Sequence, residues 1–254
     1  MPTLLEETRE SDVALLRMND PPRRNAFSIP MRLALLEKFR ALEADPSVRA
    51  VVLAGGDQYF SVGGDLNAQG PQPLQEALDR MRIIHDLVRL MAQSSKPRVC
   101  AVEGWAVGGG MALALLCDTI VAGDSARFKA GFGEIGLAPD TGILHTLPDR
   151  VGRARARQIL FYGEVVEAAQ ALEWGLVDCV TPAFGAQAEA LRLGHELARK
   201  PPLPIALTRS VFAAGLDDVL LREREIQAML LNSRDHAEGR AAFLEGRTGK
   251  YTGS

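Results

Sequence analysis

Three short segments hold residues whose types and spacing suit chemistry. The first is Phe60-Ser-Val-Gly-Gly-Asp-Leu66, placed after an apolar run. Paired glycines let a backbone approach a ligand closely and turn N–H groups toward it; they serve a plain turn equally well. The second is Ala101-Val-Glu-Gly-Trp-Ala-Val-Gly-Gly-Gly-Met111, with its three glycines at a helix start. Free N–H groups and the positive end of a helix dipole converge there, which suits an anion or a developing oxyanion. No Gly-Lys-[Ser/Thr] follows, so this is not a nucleotide P-loop; tight helix–strand packing is the other use of such glycines. Gly64 and Gly109 are 45 residues apart, each beyond a strand-like segment. Thioester chemistry asks for two backbone N–H groups on one oxygen, and such a pair of segments supplies them. The third segment is Ile135-Gly-Leu-Ala-Pro-Asp-Thr-Gly142. Asp140 there is either a helix N-cap, a position aspartate favours, or a carboxylate free for proton transfer. His85 falls near the apolar stripe of a helix and reads first as a structural residue, and the pair Arg23-Arg24 faces either phosphates or water.

The elements that must position these residues follow from hydrophobic periodicity. Val13–Met18, Ala50–Ala54, Arg98–Val102, 119–122 and 127–128 read as strands. Ser28 caps a helix with Leu33, Leu36, Phe39 and Leu42 at helical spacing, and Pro30 is tolerated in its first turn. Residues 74–91 form an amphipathic helix striped by Leu78, Met81, Ile84, Val88 and Met91, and the triple glycine opens an apolar helix through Cys117. Strands alternating with helices predict an α/β fold with crossover connections. From Thr141 to Gly246 the pattern is helical apart from one short strand at 176–180.

Composition narrows the function. The formal net charge of −3 argues against a general nucleic-acid binder. No apolar run approaches the ~20 residues of a membrane span. The first residues, Met1-Pro-Thr-Leu-Leu-Glu-Glu, lack the pattern of a signal peptide, and the last, Lys250-Tyr-Thr-Gly-Ser, carry no targeting or lipidation signal. Cys100, Cys117 and Cys179 have apolar neighbours and no CxxC spacing, and read as reduced core residues of a cytoplasmic protein. The 4 histidines lack metal-motif spacing, so no metal site is expected.

Taken in order, Arg24-Asn-Ala-Phe-Ser28, Phe60 to Leu66, Lys96 to Gly110, Cys117-Asp118, Gly136 to Gly142, Ala171 to Gly175 with Val177, and Glu238-Gly-Arg-Ala-Ala-Phe-Leu244 form a specific series. With these landmarks the chain resembles the enoyl-CoA hydratase/isomerase, or crotonase, superfamily from end to end. The resemblance implies a crotonase-like superhelix of repeated ββα units over residues 1–195 and a helical C-terminal trimerisation region over 196–254. It implies a homotrimer or dimer of trimers that acts on an acyl-CoA thioester, with no cofactor beyond the CoA of the substrate and no membrane or nucleic-acid partner. It assigns the N–H groups of Gly64 and Gly109 to an oxyanion hole and the Val62 backbone to the adenine. Arg23, Arg24 and Ala26 fall at the nucleotide end of CoA, Asp65 and Leu66 belong to the same binding loop, and Phe243 matches an aromatic CoA contact. The family's nearby lysine position is Gly246, with Arg247 beside it.

The departures shape the expected chemistry. Hydratases of this family carry two glutamates; their places here are Ala112, two residues after the triple glycine, and Phe132, eight before Asp140. Hydration needs one group to activate water and another to protonate carbon, so both losses matter. Asp140 stands where isomerase-type relatives, such as Δ3,Δ2-enoyl-CoA and epoxyphenylacetyl-CoA isomerases, keep their only catalytic carboxylate. The expectation is an enoyl-CoA isomerase with Asp140 as sole acid and base, among apolar neighbours such as Phe132, Leu137 and Ala138. The same place holds the nucleophile of 4-chlorobenzoyl-CoA dehalogenases, which keep a histidine where His85 stands. Hydratase activity through Asp140 or Glu134, dehalogenation of an aryl-CoA, and non-catalytic acyl-CoA binding are the alternatives.

Overall fold

The computed structural model describes residues 3–254; Met1 and Pro2, the first two residues of the segment read for a leader, lie outside the described residues. In chain order the first half forms β1 (Leu5–Glu10), β2 (Val13–Met18), α1 (Ile29–Ala44), β3 (Ala50–Ala54), β4 (Tyr59–Ser61), α2 (Leu74–Gln93), β5 (Arg98–Val102), β6 (Trp105–Val107), α3 (Gly109–Leu115), β7 (Thr119–Gly123) and β8 (Arg127–Lys129). The second half forms α4 (Ile143–Tyr162), β9 (Val166–Glu167), α5 (Ala168–Glu173), β10 (Cys179–Thr181), α6 (Ala186–Ala198), α7 (Pro202–Phe212), α8 (Leu216–Leu230) and α9 (Arg234–Glu245).

Two sheets result, in the orders β1-β2-β3-β5-β7-β10 and β4-β6-β8-β9. The first is parallel except for the β1–β2 hairpin, and the second except for β8–β9. A strand of each sheet followed by a helix recurs: β3, β4, α2; then β5, β6, α3; then β7, β8, α4. This is the repeated ββα unit.

Both faces of the central strands β2, β3, β5 and β7 are covered, which is why they read as near-continuous apolar runs. Ala14, Leu16, Val51, Leu53, Cys100, Val102 and Ile120 join the main core with Phe39 of α1 and Met81 of α2. The alternate residues Val13, Leu15, Ala50, Val52, Val99 and Val121 pack against Ala186 and Ala190 of α6.

Several elements depart from the periodicity. The strands β1, β4, β6 and β9 were not legible, and the last three span only two or three residues. The short strands β4, β6 and β9 are paired by distant segments, and β1 is an exposed, mostly polar edge strand, so local pattern carries little of the signal. On α1, Leu33 is 46% exposed, while Arg32 turns inward with Leu35 and Leu36. Among the described residues no helix is long and apolar enough to cross a membrane.

Candidate active site

The two glycine segments meet. The loop after β4 runs beside residues 24–27: Val62 N donates to Arg24 O at 3.3 Å and Phe27 N to Gly63 O at 2.7 Å. Gly63 has φ of +80°, and a Cβ there would stand 2.5 Å from Val107 O and 3.4 Å from Gly109 N. Only glycine permits that approach. Gly109 opens α3, where a first-turn N–H has no intrahelical acceptor. Neither Gly64 N nor Gly109 N donates to another backbone group of the described residues. The side chain of Gln69 packs against Gly64, and Phe27 against Gly109.

Asp140 reaches the same place through its neighbour. Thr141 Oγ1 lies 3.7 Å from the position of a Gly109 Cβ. That hydroxyl donates to Asp140 Oδ1 at 2.9 Å, and Gln227 Nε2 donates to Oδ2 at 2.9 Å and to Ala138 O at 2.8 Å. The N-cap reading is corrected. The cap residue of α4 is Gly142, and no side chain of its own caps the helix. Instead Gly142 N donates to both oxygens of Glu223, each at 3.1 Å. The capping carboxylate thus comes from α8, which leaves Asp140 for another task.

The surroundings of Asp140 are also more polar than expected. Glu223 is 2% exposed, and its carboxyl is pushed up to about 8, chiefly by burial and then by the charge of Asp140, with the Gly142 N–H opposing. His85 Nε2 lies 3.5 Å from Glu223 Oε2. Burial first, then Arg89, holds His85 down at about 4. At neutral pH the histidine is therefore uncharged and the glutamate mostly protonated, so the contact is not an ion pair. Arg32 and Arg80 are buried in this neighbourhood as well, and the charge of Asp140 acts on both.

The places of the two missing glutamates are apolar. Ala112 is fully buried in α3, and the ring of Phe132 lies 3.9 Å from the position of a Gly108 Cβ. Glu134 is engaged elsewhere: its Oε1 pairs with Lys129 Nζ at 2.8 Å. Glu103 accepts from Ala186 N at 3.1 Å, a structural role at the start of α6.

The residues expected to hold CoA divide. Arg23 and Arg24 are exposed beside the Val62 loop, Ala26 is buried, and the Arg24 guanidinium stands over the Tyr59 ring at 5.4 Å. Asp65 accepts from Asn67 N at 3.0 Å and so caps a short turn, while Leu66 O accepts from Arg240 Nε at 2.6 Å. Through Arg240, α9 is clasped onto the loop that carries Gly64. Phe243, one turn further on, lines a cleft of about 430 Å³ with Glu134, Phe161, Tyr162 and Arg247.

Glu223, Gln227, Arg32 and Arg80 were missed by sequence reasoning. Each sits in a helix as one polar residue among many, and only the burial of polar types at core-facing positions could have marked them.

The sequence profile of the enoyl-CoA hydratase/isomerase family matches residues 8–254. The 1,2-epoxyphenylacetyl-CoA isomerase of Escherichia coli (strain K12) is 35% identical over 252 residues, covering 96% of both chains. The 2,3-dehydroadipyl-CoA hydratase of the same organism is 33% identical over 250 residues, 97% of each. A crystal structure of an enoyl-CoA hydratase from Mycobacterium avium subsp. paratuberculosis K-10 superposes with a TM-score of 0.88 at 33% identity, covering 98% of this chain and 99% of the other.

Proposed function

Because this chain belongs to the enoyl-CoA hydratase/isomerase family, we propose that it shifts a double bond in an enoyl-CoA thioester, with Asp140 as the group that moves the proton. One observation carries this reading. Asp140 is relieved of capping by Glu223 and held beside the Gly109 turn, while Ala112 and Phe132 occupy the places of both hydratase carboxylates.

In this reading the thioester oxygen accepts N–H bonds from Gly64 and Gly109. The charge that develops on that oxygen when C2 loses a proton is met by donors already in place. Asp140 takes the C2 proton and the dienolate forms; the same carboxyl then protonates C4. One proton leaves and one returns, so no oxidant, reductant or water is consumed and no cofactor is required. Thr141 and Gln227 fix both carboxylate oxygens, which sets the direction of transfer. CoA would lie along Arg23, Arg24, Ala26 and Val62, with Asp65 and Leu66 shaping the loop. Phe243 would be the aromatic contact to CoA, and the exposed apolar residues Leu203, Leu207 and Val211 of α7, spaced four apart, would face other copies in a trimer.

The names of two relatives, one an isomerase and one a hydratase, define the rival outcome. The test offers 3-enoyl-CoA and 2-enoyl-CoA thioesters to the purified protein. Conversion of the first to the conjugated 2-enoyl product, with no hydration of the second, is expected. Rapid hydration of 2-enoyl-CoA without isomerisation would overturn the proposal.

A further inference from the structure

Two buried guanidiniums flank the proposed reaction centre, and one of them has donors that meet no acceptor. Arg32 of α1 is 4% exposed and Arg80 of α2 is 7% exposed. The Arg32 guanidinium lies over the Phe27 ring at 4.8 Å, and that ring comes within 3.0 Å of the position of a Gly109 Cβ. Arg80 Nη1 donates to Ala68 O at 3.2 Å, next to Gln69, whose side chain packs on Gly64. Arg32 is thus one side chain removed from Gly109, and Arg80 is hydrogen-bonded to the residue before the Gln69 that packs on Gly64.

The polar capacity of Arg32 is unmet. Arg32 Nε and Nη1 are sealed from solvent without a hydrogen-bond partner, and Gln69 Oε1 is in the same condition. Among the described residues no carboxylate lies within 4.0 Å of either guanidinium. Asp140 already accepts from Thr141 and Gln227, and Asp65 from Asn67 N. Glu223 is mostly protonated at neutral pH. Burial, with Arg80 in support, brings Arg32 down to about 9, which still leaves it charged. The charges of Asp140 and Asp65 reach these arginines only through space, and neither supplies an acceptor to the Arg32 donors. A buried charge without a partner is strongly unfavourable, and a planar guanidinium is suited to a carboxylate.

We propose that Arg32 and Arg80 are specificity-determining residues that recognise a carboxylate on the acyl chain, so that the preferred thioesters are ω-carboxyacyl-CoAs. This rests on the acyl-CoA reading of the site but not on which reaction occurs there. The incoming carboxylate would supply the acceptor that the free Arg32 donors lack.

The test is calorimetric binding of saturated thioesters, which need no turnover. Succinyl-, glutaryl-, adipoyl- and suberoyl-CoA are each compared with the alkanoyl-CoA of equal length. A preference of at least ~10-fold for the carboxylated member at one or more lengths is expected, or ~1.4 kcal/mol. Arg32→Met should abolish that preference while changing alkanoyl-CoA affinity by less than ~3-fold; Arg32→Lys should keep part of it. Arg80→Met repeats the test from the second helix. An alkanoyl-CoA that binds as well at every length, or an Arg32→Met protein that keeps the full preference, overturns the proposal. Preference without isomerisation would sink the isomerase reading alone, and isomerisation without preference this inference alone. No binding of any thioester would sink both.

Discussion

Asp140→Asn separates chemistry from architecture, because the structure lets the amide fit. The introduced asparagine can present its oxygen to Gln227 Nε2 and its NH2 to Thr141 Oγ1, which then accepts instead of donating. Both contacts survive with one hydroxyl rotated, and the helix cap on Glu223 is untouched. The structural cost is then the lost charge beside Arg32 and Arg80, with no unsatisfied amide. Neither arginine is in direct contact with Asp140, so the stability loss should stay below ~2 kcal/mol, under the ~3–5 of a broken buried pair. A domain typically has ~5–15 kcal/mol of stability, so the variant remains folded. The amide cannot take a proton from C2, and isomerisation should fall at least ~10²-fold, the low end for losing a general base. The rate is followed at the conjugated-enoyl absorbance, beside a binding titration that should change little. Glu223 supplies an internal control. Since Asp140 helps to raise its pKa, the value near 8 should drop in the variant. An Asp140→Asn protein that isomerises at the parent rate would refute the reasoning and return the search to His85 and Glu223.

Gly109→Pro deletes one oxyanion donor at a first helical position, where proline is tolerated, so turnover should fall ~10²–10³-fold while circular dichroism stays helical. Stability should fall as pH rises from the ordinary carboxyl value of 4.5 toward 8, because the folded chain keeps a proton on Glu223 that the unfolded chain releases. At ~1.4 kcal/mol per unit this amounts to a few kcal/mol, and Glu223→Gln should flatten that slope in urea unfolding against pH. His85, held near 4, acts in the other direction: stability is lost as pH falls from 6.5 toward 4, and His85→Gln should remove that limb. Arg32→Met should leave the ligand-free protein equally stable or more so, by up to ~4 kcal/mol, since it replaces buried donors that meet no acceptor with an apolar group of similar length; a marked drop in melting temperature would contradict the unmet-donor reading.

The glycine pairs and Asp140 could be singled out in the sequence because backbone freedom and an ionisable carboxyl are local properties. Gly63 and Gly108 have positive φ, and the loops they shape follow strands whose apolar runs are equally local. The same runs disclosed the central strands of the larger sheet, since strands covered on both faces carry mostly apolar residues. The resemblance set Ala112 and Phe132 at the places of the hydratase carboxylates, and neither side chain can ionise wherever the fold puts it. Whether Asp140 caps its helix was decided only by tertiary structure. That helix is capped by a glutamate 83 residues further along, and the Asp140 oxygens are held in part by Gln227 of the same distant helix. Nothing in the local pattern marks Glu223 among the charged residues of α8. Arg32 and Leu33 make the point most sharply. Adjacent in α1, they differ by the ~100° turn of the helix, and the packing of α1 against α2 and the sheet decided that the arginine goes in and the leucine out. Periodicity ranks residues by their own hydrophobicity. Burial of a charge is decided by the partner surface, which exists only once the chain has folded.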